Sequence, residues 1–124
     1  MQSISPETIY RGNSAWEKSL PQITKLTKSP LILGRGIQTN NLRNNIFNDL
    51  KNQKLNVNSA NLQFDCCYED ISRVKNIISN NNNDCVIAAG GGKVLDSGKY
   101  IAESLNIPCI TVPLSVSTCA GWTA

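Results

Sequence analysis

The sequence predicts an α/β fold, a Rossmann-like open and mainly parallel sheet with helices on both faces. Three observations predict it. Short apolar runs alternate with segments of helical periodicity along the chain. The run Cys85-Val86-Ile87-Ala88-Ala89, entered from Asp84, is continuously apolar, as a parallel strand covered on both faces requires. That run passes through Gly90-Gly91-Gly92 directly into a segment where Val94, Leu95, Gly98, Ile101, Ala102 and Leu105 recur at helical spacing.

The elements follow in order. Thr8–Tyr10 reads as a first, edge strand. Asn13 and Ser14 offer caps for a helix from Ala15 to Leu26, with Pro21 breaking or kinking it early. Leu31-Ile32-Leu33, introduced by Pro30, is a short buried strand ending at Gly34-Arg35-Gly36. Thr39 caps a second helix with Leu42, Ile46, Phe47 and Leu50 on one face. The span Lys51–Ala60 is a polar connection. Leu62–Phe64 reads as the next strand, and Tyr68–Ser79 as a helix with Ile71, Val74, Ile77 and Ile78 turned inward. Asn80–Asn83 reads as a solvated turn, since asparagine tolerates the left-handed helix end. The glycine-led helix ends near Asn106, and Pro108–Val112 is the last strand, closed by Pro113.

Composition bounds the function. A chain of 124 residues with 40% hydrophobic content is one domain with a real core. The net charge of +3 is spread along the chain without a basic block, which argues against a nucleic-acid partner. No apolar stretch approaches the roughly 18 residues of a membrane span, and the N-terminus lacks the apolar core of a secretory signal. The expected location is the cytoplasm, where the five cysteines, Cys66, Cys67, Cys85, Cys109 and Cys119, would be free thiols. Histidine is absent altogether, which removes the commonest general base and the commonest metal ligand.

Three glycines between a buried strand and a helix let the backbone turn sharply and let a ligand approach the amides. The helix start then favours a phosphate or pyrophosphate. Lys93 either adds charge to that cradle or is a solvated lysine. Asp96 either caps the first turn or faces a cofactor or substrate. A Walker A loop is excluded by Ile87 and Val94, and the G-x-G-x-x-G fingerprint by Leu95.

The run Gly90-Gly91-Gly92-Lys93-Val94-Leu95-Asp96-Ser97-Gly98-Lys99, with Ile107-Pro108, Val112-Pro113 and Ser117-Thr118 after it, resembles the iron-containing alcohol dehydrogenase superfamily, nearest its glycerol dehydrogenase branch. Dehydroquinate synthase and related cyclases share a triple glycine but differ in the pattern of residues after it. The resemblance implies that residues 1–124 are an N-terminal NAD(P)-binding domain, lacking the family's helical, metal-binding C-terminal domain. It implies a nicotinamide cofactor, NAD or NADP, bound at Gly90 and with its pyrophosphate on Gly91, Gly92 and Lys93. Asp96 is then near the nicotinamide, with Ser117, Thr118 and Thr123 also on the cofactor. The family's zinc or iron would not be bound by this chain, and the parent enzyme would take a small alcohol or polyol.

Departures from the family pattern matter. The acid that holds the ribose 2′-OH aligns with Gly34, followed by Arg35, an arrangement that suits a 2′-phosphate unless Arg35 is simply solvated. The family's threonine after the strand is Leu114, and its substrate-contacting aspartate is Cys119. Val116–Ala124, including Trp122, would leave an apolar edge that invites self-association, so a homo-oligomer and poor solubility are expected. Alternatives are a stand-alone nucleotide-binding module and another phosphate-handling α/β enzyme.

Overall fold

The computed structural model describes residues 20–35, 40–63 and 68–113. Residues 20–26 are helical (α1), followed by β1 (Pro30–Gly34), α2 (Asn40–Asn52), β2 (Asn58–Asn61), α3 (Tyr68–Asn81), β3 (Cys85–Gly90), α4 (Gly92–Leu105) and β4 (Cys109–Pro113). The four strands form one sheet in the order β2-β1-β3-β4, and every pairing is parallel. The expected α/β architecture is therefore the observed one. Thr8–Tyr10, the caps at Asn13, Ser14 and Thr39, and Phe64 lie outside the described residues.

Strand alternation distributes the core to two sides. Leu31 and Leu33 of β1, with Val86 and Ala88 of β3, meet Ile71, Val74 and Ile78 of α3 and Val94 and Ile101 of α4. Ile32, Cys85, Ile87 and Ile110 point the other way, onto Ile23 of α1 and Ile46 and Leu50 of α2. Helices thus cover both faces, as right-handed crossovers running outward in opposite directions from the sheet centre require. Each fully buried Leu or Ile contributes about 1.5–3 kcal/mol.

One expected strand needs correction. The strand expected at Leu62–Phe64 is instead Asn58–Asn61, within the span read as a polar connection. Among the described residues it pairs with β1 alone, and Ala60 and Leu62 supply its covered face. Leu62 is just past the strand, its N–H donating to Gly34 O at 2.8 Å. Residues 20–26, Pro21 among them, are helical, and the earlier part of the helix expected from Ala15 lies outside the described residues.

The asparagine run divides in two. Asn82 takes the left-handed conformation (φ 54°), as expected for a helix end. Asn83 is not solvated. It is buried, and its Nδ2 donates to Ser29 O (2.9 Å), Ser29 Oγ (3.1 Å) and Asn58 Oδ1 (2.6 Å). Beside it, the Asp84 carboxylate accepts from Thr27 Oγ1 and from the N–H groups of Lys28 and Ser29. These contacts tie the entries of β1, β2 and β3 together at the end of the sheet opposite the glycines. They are structural rather than ligand-binding contacts.

Candidate nucleotide site

Strand order reverses between β1 and β3: the chain leaves β1 towards β2 on one side and β3 towards β4 on the other. In open α/β sheets ligands bind at the carboxyl ends of the strands at such a switch point. Register pairs Leu33 with Ala88, so Gly34 ends β1 beside the point where β3 runs into Gly90-Gly91-Gly92. The structure therefore brings Gly34 and the glycine turn together, across a strand spacing of about 4.8 Å.

The three glycines of the turn do different things. Gly90 has φ +154°, a backbone that side chains rarely adopt, and a Cβ there would lie 3.1 Å from Val94 Cγ2, which would have to give by a few tenths of an ångström. Gly91 is the N-cap of α4, with extended backbone (φ −80°, ψ −172°) and no side-chain cap hydrogen bond. A Cβ at Gly91 or Gly92 would meet nothing within 4 Å. The protein's own packing thus places no demand for glycine at those two positions. Their bareness leaves the first amides of α4 open to an incoming group.

Lys93 and Asp96 are exposed, on the first and second turns of α4. Because α4 starts at Gly92, its first turn holds no acid, and Asp96 stands two residues beyond Val94, the position a capping carboxylate takes. Four residues from Gly92, it shares that residue's face of the helix and leans towards the N-terminus. Ser97 and Gly98 turn inward.

At Gly34 the structure supplies a residue that local sequence pattern does not single out. A Cβ on Gly34 would fall 1.9 Å from Arg43 Nη1 and 2.1 Å from Arg43 Cδ. Arg43, in the first turn of α2, is 7% exposed and its Nη2 donates to Asn40 Oδ1. Burial lowers its pKa from the ordinary arginine value. The sequence did carry a signal, since Arg43 lies on the same helical stripe as buried Ile46 and Leu50. Arg35, the cation singled out from sequence, is half-buried on the loop after β1. Leu114, Ser117, Thr118, Cys119 and Thr123 lie outside the described residues.

Other chemistry is sparse. Cys85 and Cys109 are buried free thiols. Burial pushes Cys85 up strongly, with smaller contributions from Cys109 and Asp84. Burial raises Cys109 to about 11, against a smaller opposing effect of Lys99. Neither is a nucleophile at neutral pH. Among the described residues no three His, Cys, Asp or Glu side chains are grouped to hold a metal, and none of the helices is long and apolar enough to cross a membrane. The described residues therefore do not fit a zinc or iron ion.

The fold and site define a Rossmann-like α/β unit with an open glycine turn at its switch point. This chain belongs to the iron-containing alcohol dehydrogenase family, whose model matches residues 6–124. An uncharacterised oxidoreductase of Synechocystis sp. is 31% identical over 98% of this chain and 31% of its own length. Glycerol dehydrogenase 1 of Schizosaccharomyces pombe is 28% identical over 92% of this chain and 25% of its own. The chain therefore spans less than a third of these curated relatives. The fold is shared with the crystal structure of glycerol dehydrogenase from Schizosaccharomyces pombe (TM-score 0.73, 24% identity, 94% of this chain and 29% of that one). It is shared too with an alcohol dehydrogenase from Oenococcus oeni (TM-score 0.78, 19% identity, 90% and 35%).

Proposed function

We propose that this chain is the dinucleotide-binding part of an NAD(P)-linked, metal-dependent dehydrogenase of polyols or small alcohols, resembling glycerol dehydrogenase. The observation that carries the reading is the N-terminus of α4, presented bare by Gly91 and Gly92 at the switch point of a parallel sheet. Open amides and the positive end of the helix dipole suit a pyrophosphate. Lys93 adds a cation at its rim, and Asp96 stands on the same helix face as Gly92. Family membership supports an oxidoreductase of alcohols, and the glycerol dehydrogenase relative supports a polyol.

In this reading the bound dinucleotide supplies the hydride chemistry. The chain's own residues hold the pyrophosphate and fix where the nicotinamide lies. Ser117, Thr118 and Thr123 would contact the cofactor, with Leu114 beside them and Cys119 facing the substrate. With no histidine and no metal-ligand cluster among the described residues, the chain by itself is expected to be inactive. Its buried free thiols suit the cytoplasm.

Calorimetric titration with NADH and NADPH tests the reading. Saturable binding is expected for at least one of them. Gly92→Asp, which sets a carboxylate against the pyrophosphate without clashing with the protein, should weaken it about tenfold or more. A folded protein that binds neither nucleotide, or binds equally well with Gly92→Asp, defeats the proposal.

A further inference from the structure

We propose that Asp70, together with Arg73, is a positioning pair for the nucleotide crevice: it fixes the carboxyl ends of β1 and β2 against the start of α3 without touching the cofactor itself. The inference rests on the dinucleotide reading above and adds to it two residues, distant from the glycine turn, on which binding depends.

Asp70 is a carboxylate wholly withdrawn from water. Such a group is tolerated only where it is paired and hydrogen-bonded. Both of its oxygens accept from the backbone N–H of Gln63, at 3.1 and 2.9 Å. Its Oδ1 also accepts from Arg73 Nη2 at 2.9 Å, and the same nitrogen donates to Asn61 O. Asp70 lies in the first turn of α3, where the helix dipole favours its charge. The pair therefore fastens both ends of the short segment Asn61–Gln63 to α3.

That segment is the exit of β2, and the exit of β1 is bound to it. Asn61 is in register with Gly34, and Leu62 N–H donates to Gly34 O at 2.8 Å. Gly34 in turn ends β1 beside the turn Gly90-Gly91-Gly92. The residues of β2 do little to secure this end, because Asn58-Ser59-Ala60-Asn61 is poor in strand formers and only Ala60 of the four is buried. A dinucleotide seated in the crevice outside the carboxyl ends of the strands meets a wall at β1 whose position is set from behind by Asp70.

The opposite end of the sheet carries a matching arrangement. Asp84 accepts from the backbone N–H groups of Lys28 and Ser29 and ties strand entries together on the side away from the glycines. The two carboxylates do similar mechanical work, and only Asp70 does it on the ligand side. Loss of either one should cost stability, whereas loss of Asp70 should also cost binding.

The test is calorimetric titration with NADH and NADPH on wild type, Asp70→Asn, Arg73→Gln, Arg73→Lys and Asp84→Asn, with the urea midpoint of each protein measured alongside. Asparagine keeps the size of Asp70 but turns one acceptor into a donor among donors. Asp70→Asn and Asp84→Asn are both expected to lower the midpoint. Asp70→Asn and Arg73→Gln should weaken the better-bound nucleotide about fivefold or more, while Asp84→Asn stays within about twofold of wild type. Arg73→Lys should recover part of the loss, since an ammonium can still donate to both Asp70 and Asn61 O. If Asp70→Asn does not fold, the partly exposed Arg73 carries the same comparison. Wild-type affinity in folded Arg73→Gln or Asp70→Asn overturns the proposal. So does an equal loss in Asp84→Asn, which would trace the effect to stability alone. If wild type binds neither nucleotide, the dinucleotide reading itself falls and takes this one with it. If wild type binds and every variant binds alike, that reading stands and only the role of the pair is lost.

Discussion

Glycine serves opposite purposes at Gly98 and at Gly91–Gly92. At Gly98 the constraint is the protein itself: a Cβ would lie 2.6 Å from Ala88 Cβ, with Cys109 Sγ and Leu33 Cδ2 each at 3.7 Å. The helix α4 therefore sits against β3 closely enough that one methyl cannot be inserted. Alanine at an unconstrained helical position would be worth about 1 kcal/mol over glycine. Overpacking typically costs about 1–3 kcal/mol, and the contact here is with a short side chain on a central strand that has no rotamer to escape into. Gly98→Ala is thus expected to destabilise the fold by up to about 2 kcal/mol net, read as a lower urea midpoint at unchanged slope. A stabilised Gly98→Ala protein would show that α4 and β3 are less closely packed than this contact implies. At Gly91 and Gly92 the same measurement should register little, because an added Cβ meets open space; there the loss should appear in nucleotide binding.

The helices α2, α3 and α4 end alike, each with a residue at positive φ: Lys54 (67°), Asn82 (54°) and Asn106 (59°). In each case the next N–H returns to a carbonyl inside the last turn, as in Leu55 N to Leu50 O, Asn83 N to Ile78 O and Ile107 N to Ala102 O. Asparagine takes this conformation readily, whereas lysine bears the Cβ penalty. Lys54 is exposed, so Lys54→Gly should remove strain without removing a buried contact. It is expected to raise stability by about 0.5–1 kcal/mol in thermal or urea unfolding, and a destabilised variant would mean that the α2 end is held by its side chain. The contrast also explains what was legible in the sequence. Asn82 and Asn106 announce helix ends by residue type, and β3, the glycine turn and α4 announce themselves by an apolar run, three bare residues and a helical stripe. Lys54 announces nothing, and so α2 merged into a polar connection. β2 was displaced for a related reason: Asn58–Asn61 has almost no strand propensity and exists because the exposed edge of β1 recruits it. Asn83 and Arg43 were obscured by distance in sequence, since what each touches across the fold, Ser29 and Asn58 for one and Gly34 for the other, has no local signature.

At the scale of the molecule, the central strands bury thiols on both sides of the sheet, Cys85 in the core beneath α1 and α2 and Cys109 in the core beneath α4. Their protonation is therefore coupled to the integrity of the whole sheet. Both are held above the ordinary thiol value of 9.0, Cys109 at about 11 and Cys85 further still, because burial disfavours the thiolate. The sign of the effect follows from proton binding. Between pH 9.0 and the folded value the unfolded chain releases thiol protons that the folded chain keeps, so unfolding gains and stability falls as pH rises. Below pH 9.0 both states hold the protons and this contribution is constant. By about pH 10.5 Cys109 alone should have removed on the order of 2 kcal/mol, with Cys85 adding to it. Tyrosines and lysines titrate in the same range, so the diagnostic quantity is a difference. The urea midpoint of the wild type should drop more steeply above pH 9.0 than that of a Cys85→Ala/Cys109→Ala double variant, and both thiols should resist alkylation at about pH 8 until the sheet unfolds. Parallel pH profiles for the two proteins, or ready alkylation of either cysteine in the folded state, would show that the sheet centre opens to water independently of global unfolding, and that its two faces do not form one cooperative core.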